Sequence, residues 1–317
     1  MRLKQPVFDP AVVEKLKPLK VLDNYHGLVS VVTDWLVIVA SAVFNIWLTK
    51  VHRQLGVVFY PICLLVIGGR IRALACLLHV STHRALAKSK MLNDFLGSVL
   101  SGWCVLQSWT GYHYQHVVLH HPHLGDPDKD PDFQQIIKTG LYSKETTRED
   151  VVNYLKSIPL PATTVAYVQY LVTDRVFPKA EKLSETIIRL IFWAFVISVL
   201  YFTGNMQSFL FYWIVPMLTT TNWIGLLAEF LEHFPLLVKD VDELHASRNK
   251  FCGSVINYFL HPHGDYYHLV HHLFPRIPHW NYKATHDIMM QDENYRAVNK
   301  HRPGLPALID DVLSHFD

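Results

Sequence analysis

Cysteine is scarce: Cys63, Cys76, Cys104 and Cys252 are the only 4 in 317 residues, and no two form a Cys-x-x-Cys pair. That pattern excludes both a disulfide scaffold and a thiolate zinc site. Charge is scarce as well, at 18% of residues against about 25% in ordinary soluble domains. With 29 basic and 27 acidic side chains the net charge is +2, too small to argue for a nucleic-acid partner. The first 27 residues are polar and interrupted by Pro6, Pro10 and Pro18, so no cleavable signal peptide is expected there. There is no Gly-x-Gly-x-x-Gly after a strand and no His-Pro-Gly-Gly haem loop, HPHG at 261–264 being only a near miss. The sequence therefore offers no site for a redox cofactor of the dinucleotide, haem or iron–sulfur kind.

Two things are abundant: hydrophobic residues, at 50%, and histidine, with 20 copies. The apolar residues fall in runs. LVSVVTDWLVIVASAVFNIWL (Leu28–Leu48) has the roughly twenty residues a bilayer span needs, with Asp34 as its only charge. LGVVFYPICLLVIGG (Leu55–Gly69) continues into RIRALACLLHVSTH. IIRLIFWAFVISVLYF (Ile187–Phe202) and FLFYWIVPMLTTTNWIGLLA (Phe209–Ala228) form a second closely spaced pair. Arg70 and Arg72 are costly at mid-membrane, so the second helix is expected to reach the interface there and continue beyond it. FLGSVLSGWCVLQSWTG (Phe95–Gly111), short and glycine-rich, and Val151–Val172, broken by Pro159 and Pro161, are expected to lie on the membrane face instead of crossing it. The loops at 49–54 and 204–208 carry few or no basic residues, whereas the N-terminal segment (Lys4, Lys15, Lys17, Lys20) and the 84–186 segment carry many. By the positive-inside rule the termini and the long middle segment are cytoplasmic.

That orientation puts every histidine cluster on one side. His79-Val-Ser-Thr-His83 is an i, i+4 pair on one helical face. His116, His120 and His121 supply i, i+4 and i+5, and His268, His271 and His272 supply i, i+3 and i+4. A transition ion takes at most about six ligands, so eight rings imply two metals or several idle rings. Imidazole without thiolate suits iron, zinc, copper or nickel, and spacing does not choose among them.

HVSTH, HVVLHH and HLVHHLFPRIPHW, in that order, resemble the three histidine boxes of the membrane-bound fatty acid desaturase and hydroxylase superfamily, and the resemblance covers residues 28–290. It implies an all-α integral membrane protein in which four transmembrane helices carry a cytoplasmic helical cap over a histidine-rich dimetal site. Residues 1–27 are then an N-terminal cytoplasmic segment and 291–317 a C-terminal tail. It also implies a non-haem diiron centre that uses O2 as cosubstrate to attack an unactivated C–H bond of a lipid acyl chain. The expected membrane is the bacterial inner membrane or the endoplasmic reticulum, with the active site on its cytoplasmic face. With no redox motif in the chain, electrons are expected from a separate ferredoxin or cytochrome with its reductase.

Carried over residue by residue, the metal ligands are His79, His83, His116, His120, His121, His268, His271 and His272. The family often adds a histidine near the end of the fourth helix, and His233 in AEFLEHFP fits that place. Where some members have an asparagine one turn earlier, this chain has Glu229. Its readings are a carboxylate ligand or proton acceptor, or a helix-end salt bridge; Glu232, on another face, is its rival. His113, His123, His261 and His263 flank the boxes and read as supporting or solvated residues. Asp130 and Asp132 of GDPDKDPDF either orient ligand imidazoles or form a rigid acidic turn. Asp34 and Asn45, polar within a span, read as functional or structural. HHLFPRIP favours desaturation, and DPDF also resembles carotenoid ketolases and hydroxylases. A lipid, isoprenoid or small-molecule hydroxylase or ketolase is thus the alternative. A metal transporter is the distant one, because transporters place ionisable ligands inside their spans and these spans hold almost none.

Overall fold

The computed structural model describes residues 3–239, 241–299 and 303–317, so residues 300–302 of the expected tail lie outside it. The described residues are helical and contain no β-strand. Four helices are long and apolar enough to cross a membrane: His26–Val51, Arg53–Thr82, Leu183–Phe202 and Met206–His233. They coincide with the four apolar runs, but each extends further. The first two nearly touch end to end, separated by His52 alone at φ −140° and ψ 84°.

Small residues let these helices approach closely, as packing between spans requires. A Cβ at Gly56 would lie 2.1 Å from Thr49 Oγ1, and one at Gly68 would lie 2.0 Å from Thr220 Oγ1. Across the Gly68 contact, Thr220 Oγ1 donates to the Leu64 carbonyl at 2.7 Å and Thr221 Oγ1 to the Gly68 carbonyl at 3.2 Å. Asn45 acts as a clamp: its Nδ2 donates to the Gly56 carbonyl at 3.0 Å and its Oδ1 accepts from the Tyr212 hydroxyl at 2.8 Å. Outward-facing Leu36, Val43, Trp47, Ile191 and Phe195 remain exposed, as lipid-facing surfaces are.

The second span runs unbroken for 30 residues, about 45 Å at 1.5 Å per residue. A hydrocarbon core is about 30 Å thick, so a helix of this length exceeds it by about 15 Å. Phe95–Gly111 and Val151–Val172 do not form spans. The former becomes a π-helical segment, Phe95–Gly102, a turn with Leu106 at φ 64°, and a short helix Trp109–Tyr112. The latter divides at its prolines into Arg148–Ser157 and Pro161–Tyr170. Near the C-terminus, Leu305–Leu313 packs Leu308 and Val312 against Leu231 and Phe234 at the end of the fourth span.

Asp34 resolves to a structural role. It is fully buried, and its Oδ1 accepts from Arg70 Nη1 at 3.1 Å while Oδ2 meets His263 Nε2 at 2.6 Å. Arg70 Nη2 also donates to the Tyr258 carbonyl. Removing one partner of such a pair leaves an uncompensated buried charge. Asp34→Ala is therefore expected to destabilise the protein by about 3–5 kcal/mol, and the double change Asp34→Leu, Arg70→Met by much less. Thermal unfolding of the detergent-solubilised variants checks this, and equal losses for the single and double changes would refute it.

Candidate metal centre

Each histidine cluster is brought in by a different local device. His79 lies on the last turn of the second span and His83 is the residue that ends it, at φ −80° and ψ 2°. The second cluster sits in a π-helical stretch, His113–His120, not in the regular α-helix that i, i+4 spacing suggests. The difference has a consequence. In an α-helix positions i+4 and i+5 diverge by about 100°, whereas i→i+5 bonding places them on either side of i. His120 and His121 therefore both face His116, with ring centroids at 5.1 and 4.7 Å. Such segments recur at functional sites. The third cluster occupies a short helix, His268–Leu273, entered through a turn with His263 at φ 55° and Gly264 at φ 75°.

All nine histidines singled out from the sequence meet in two adjoining groups. His79, His83, His116, His121 and His271 bring five ligand atoms within 4.8 Å of one another; His120, His233 and His272 do the same, and His233 also groups with His268 and Glu232. His79 Nε2 stands 2.8 Å from His271 Nε2, while His121 Nε2 is 3.1 Å from both His116 Nε2 and His271 Nε2. In the second group His268 Nε2 is 3.0 Å from His233 Nε2. The His121 and His272 rings stack at 4.4 Å and join the two groups.

The outward nitrogens of three rings are held from behind. His120 Nδ1 meets Asp130 Oδ1 at 2.9 Å, His233 Nδ1 meets the Ala246 carbonyl at 2.8 Å, and His271 Nδ1 meets the Tyr282 hydroxyl at 3.1 Å. This is how ligating imidazoles are oriented. Asp130 is also the N-cap of Pro131–Ile137, accepting from the amides of Asp132 and Phe133, so the rigid turn and the orienting carboxylate are one residue. Asp132 pairs with Arg175 and also reaches the rings, its Oδ2 lying 3.7 Å from His120 Nδ1 in a group with His116 and His120.

Burial, reinforced by neighbouring imidazoles, holds His83, His116, His121, His271 and His272 well below the usual histidine range; His268 is lowered in the same way, with Lys250 adding to the effect of burial. Burial also draws His120 down, but Asp130 outweighs it and pushes this ring up to about 9. A neutral imidazole has one donor and one acceptor nitrogen. Inward nitrogens that all approach one another cannot satisfy each other. His83 Nε2, His268 Nδ1 and both nitrogens of His272 are buried without a partner among the described residues. A cation between the rings would accept one lone pair from each inward-facing nitrogen, so the donor set fits metal ions, and its two groups fit two.

Glu229 belongs to neither group. Its Oε1 accepts from the Tyr167 hydroxyl at 2.9 Å, and the side chain lines a cavity beside the histidines. Glu232 lies nearer, with Oε2 3.8 Å from His268 Nε2, and is paired with the fully buried Lys250 at 2.7 Å. Tyr282 and the Ala246 carbonyl had no signal in the sequence, because one is a lone tyrosine and the other a backbone atom. His261 is fully buried 3.6 Å from Asp265, His263 joins Asp34, and His113 stacks on Trp109; none of them enters the groups.

Four membrane-length helices carrying histidine-rich groups that could hold metal ions define the class of protein. The match to known proteins is narrower. The fatty acid desaturase family model matches residues 55–302, and the chain belongs to that family. It is 31% identical over 287 residues to dihydrorhizobitoxine desaturase of Bradyrhizobium elkanii, covering 87% of this chain and 78% of the relative. It is 26% identical over 251 residues to an sn-1 acyl-lipid omega-3 desaturase (ferredoxin) of Nostoc sp., covering 73% and 67% respectively. The chain is thus a membrane oxidoreductase of the desaturase and hydroxylase type.

Asp130→Ala removes the acceptor behind His120 and the cap of Pro131–Ile137. Metal retention during dialysis against a weak chelator, read by elemental mass spectrometry, is expected to weaken by about 10–100-fold. Retention equal to wild type would show that His120 needs no such support.

Proposed function

We propose that this protein is an O2-dependent diiron desaturase that removes two hydrogens from adjacent carbons of a substrate lodged beside the histidine groups. The reading is carried by the convergence of nine imidazoles from separated segments into two adjoining, mostly buried groups that share a wall with one cavity. In this reading His79, His83, His116, His121 and His271 hold one iron, and His120, His233, His268 and His272 the other. When bound, the iron pair supplies the oxidising power to break an unactivated C–H bond with O2.

The chain's own residues do the rest. Asp130, Tyr282 and the Ala246 carbonyl fix ring orientation from behind, so that the inward nitrogens stay in place through turnover. Burial excludes water, which protects a reactive site from side reactions. Glu229, on the cavity wall, faces the substrate. The balance is that of desaturation: O2 becomes two waters, taking two hydrogens from the substrate together with two electrons and two protons from outside. A separate ferredoxin, or a cytochrome with its reductase, is the donor in this reading. The absence of redox-cofactor motifs supports it, as does the word ferredoxin in the name of the Nostoc relative. The distribution of lysine and arginine supports a site on the cytoplasmic face of a bacterial inner membrane or of the endoplasmic reticulum. An acyl lipid is the substrate the family name suggests. The names of the two relatives differ on this point, and the charged groups on the cavity wall, Arg72 and Glu229 among them, favour a molecule with polar ends.

Mass spectrometry of lipids and small metabolites from cells expressing the chain, against a His271→Ala, His272→Ala control, tests the proposal. A product two hydrogens lighter, absent from the control, is expected, with about two irons per purified chain and near-complete loss of both in the control. A product heavier by one oxygen would replace desaturation by hydroxylation. Metal uptake without any oxidised product would favour a transporter.

A further inference from the structure

The cavity beside the histidine groups has a volume of about 130 Å³, close to that of an apolar cavity that holds one benzene. Two helical faces contribute to its wall. Arg72, Ala75 and His79 recur at helical spacing on the second span, and Asn222, Gly225 and Glu229 on the fourth. A tunnel for an acyl chain is expected to be lined by methylenes throughout, whereas this wall sets Arg72 and Glu229 beside apolar residues such as Ile136, Met217 and Leu226.

The polar groups here are under-used. Arg70, Arg175 and Arg189 each pair with a carboxylate, but Arg72 forms no ion pair among the described residues. Its Nη1 donates to Cys76 Sγ at 2.8 Å, and its buried Nε has no partner. Asn222 is only 5% exposed, with an unpartnered Nδ2. Gln107 Oε1, on the same wall, is also buried without a partner. Groups left like this are costly unless something else meets them. Gly225 makes the room: a Cβ there would lie 3.3 Å from the Tyr167 hydroxyl and 3.8 Å from Arg72 Nε.

We propose that the cavity takes a small zwitterionic carboxylate, with its carboxylate on the Arg72 guanidinium and Asn222, and its ammonium on Glu229. This rests on the desaturase reading and names its substrate class. The guanidinium fork suits a carboxylate, and Glu229, which forms no ion pair with Arg72 among the described residues, is the carboxyl group on that wall that an ammonium would meet.

Position supports a short molecule. The contact with Cys76 draws the guanidinium to within about one turn of His79, roughly 5 Å along the axis. Glu229 likewise precedes His233 by one turn. A substrate anchored at both brings only its first few carbons to the histidines. A long acyl chain held at its carboxylate would present the same few carbons and leave the rest without room.

The test uses the full chain, purified with its metal in detergent, and four probes: 2-aminohexanoate, hexanoate, hexylamine and palmitate. Calorimetric titration is expected to rank 2-aminohexanoate tightest. Arg72→Gln should weaken 2-aminohexanoate and hexanoate by about 10–100-fold, the range for hydrogen bonds to charged groups, and leave hexylamine unchanged. Arg72→Lys should retain part of the affinity, and Glu229→Gln should erase the advantage of 2-aminohexanoate over hexanoate. Asn222→Ala, which removes a group with an unpartnered donor, provides a second variant expected to fold and still weaken both carboxylates. Palmitate binding tightest and indifferent to Arg72→Gln would overturn the proposal, as would no binding of any small probe below about 10 mM. Product analysis separates the two readings. A desaturated product found only among long acyl lipids sinks the small-zwitterion inference and leaves the desaturase standing. Arg72-dependent binding of 2-aminohexanoate without any oxidised metabolite does the reverse.

Discussion

The second span is longer than a membrane is thick, and much of the molecule follows from that mismatch. A helix of 30 residues rises about 45 Å, some 15 Å more than the hydrocarbon it has to cross. The surplus turns carry Arg72, Cys76 and His79 in one rigid piece with the membrane-embedded part. Because the helix is unbroken, the first histidine pair inherits its position from the packing of the spans. The Gly68–Thr220 contact then fixes the fourth span against it, and with it Glu229 and His233. Two of the segments that build the metal-capable groups are therefore placed by helix packing within the membrane part.

The remaining two segments are placed by conformations that no helical repeat encodes. HVVLHH reads as an α-helical i, i+4 motif with one extra ring. The π-helical turn is what makes that extra ring useful, since it brings His120 and His121 to opposite sides of His116. The third cluster depends on left-handed backbone at His263 and Gly264, which turns the chain back just before His268. In both cases the residue types were legible and the geometry was not.

The same division runs through the whole structure. The four spans could be read from run length, and the nine histidines from their spacing and from the resemblance to a family. The Glu229 and Glu232 assignments could not, because three residues of separation leave them only about 60° apart on one helix and tertiary packing alone decides what each meets. Glu232 meets Lys250 and His268, while Glu229 meets Tyr167 and open space. The cavity was invisible for a related reason. Its wall is assembled from Gln107, Arg72, Tyr167, Asn222 and Glu229, which lie in four separate stretches of sequence, and an arginine near a membrane interface looks like an ordinary anchor until its partners are counted.

Asp34 shows why those partners matter. It lies in the first span, pairs with Arg70 in the second, and through Oδ2 holds His263, two residues after His261 and five before the first ring of the third cluster. Arg70 in turn donates to the Tyr258 carbonyl in the segment leading there. One buried carboxylate thus ties two spans to the backbone that delivers His268, His271 and His272. A hydrophobic contact of similar area would stabilise the packing as well or better, but it would not fix the rotation of the second span about its own axis. That rotation decides whether Arg72, two residues on, faces lipid or the cavity. Arg70 turned inward to Asp34 leaves Arg72 about 200° around the helix, given 100° per residue, on the side where the fourth span presents Asn222 and Glu229. The ion pair at Arg70 and the missing ion pair at Arg72 are consequences of a single helical rotation.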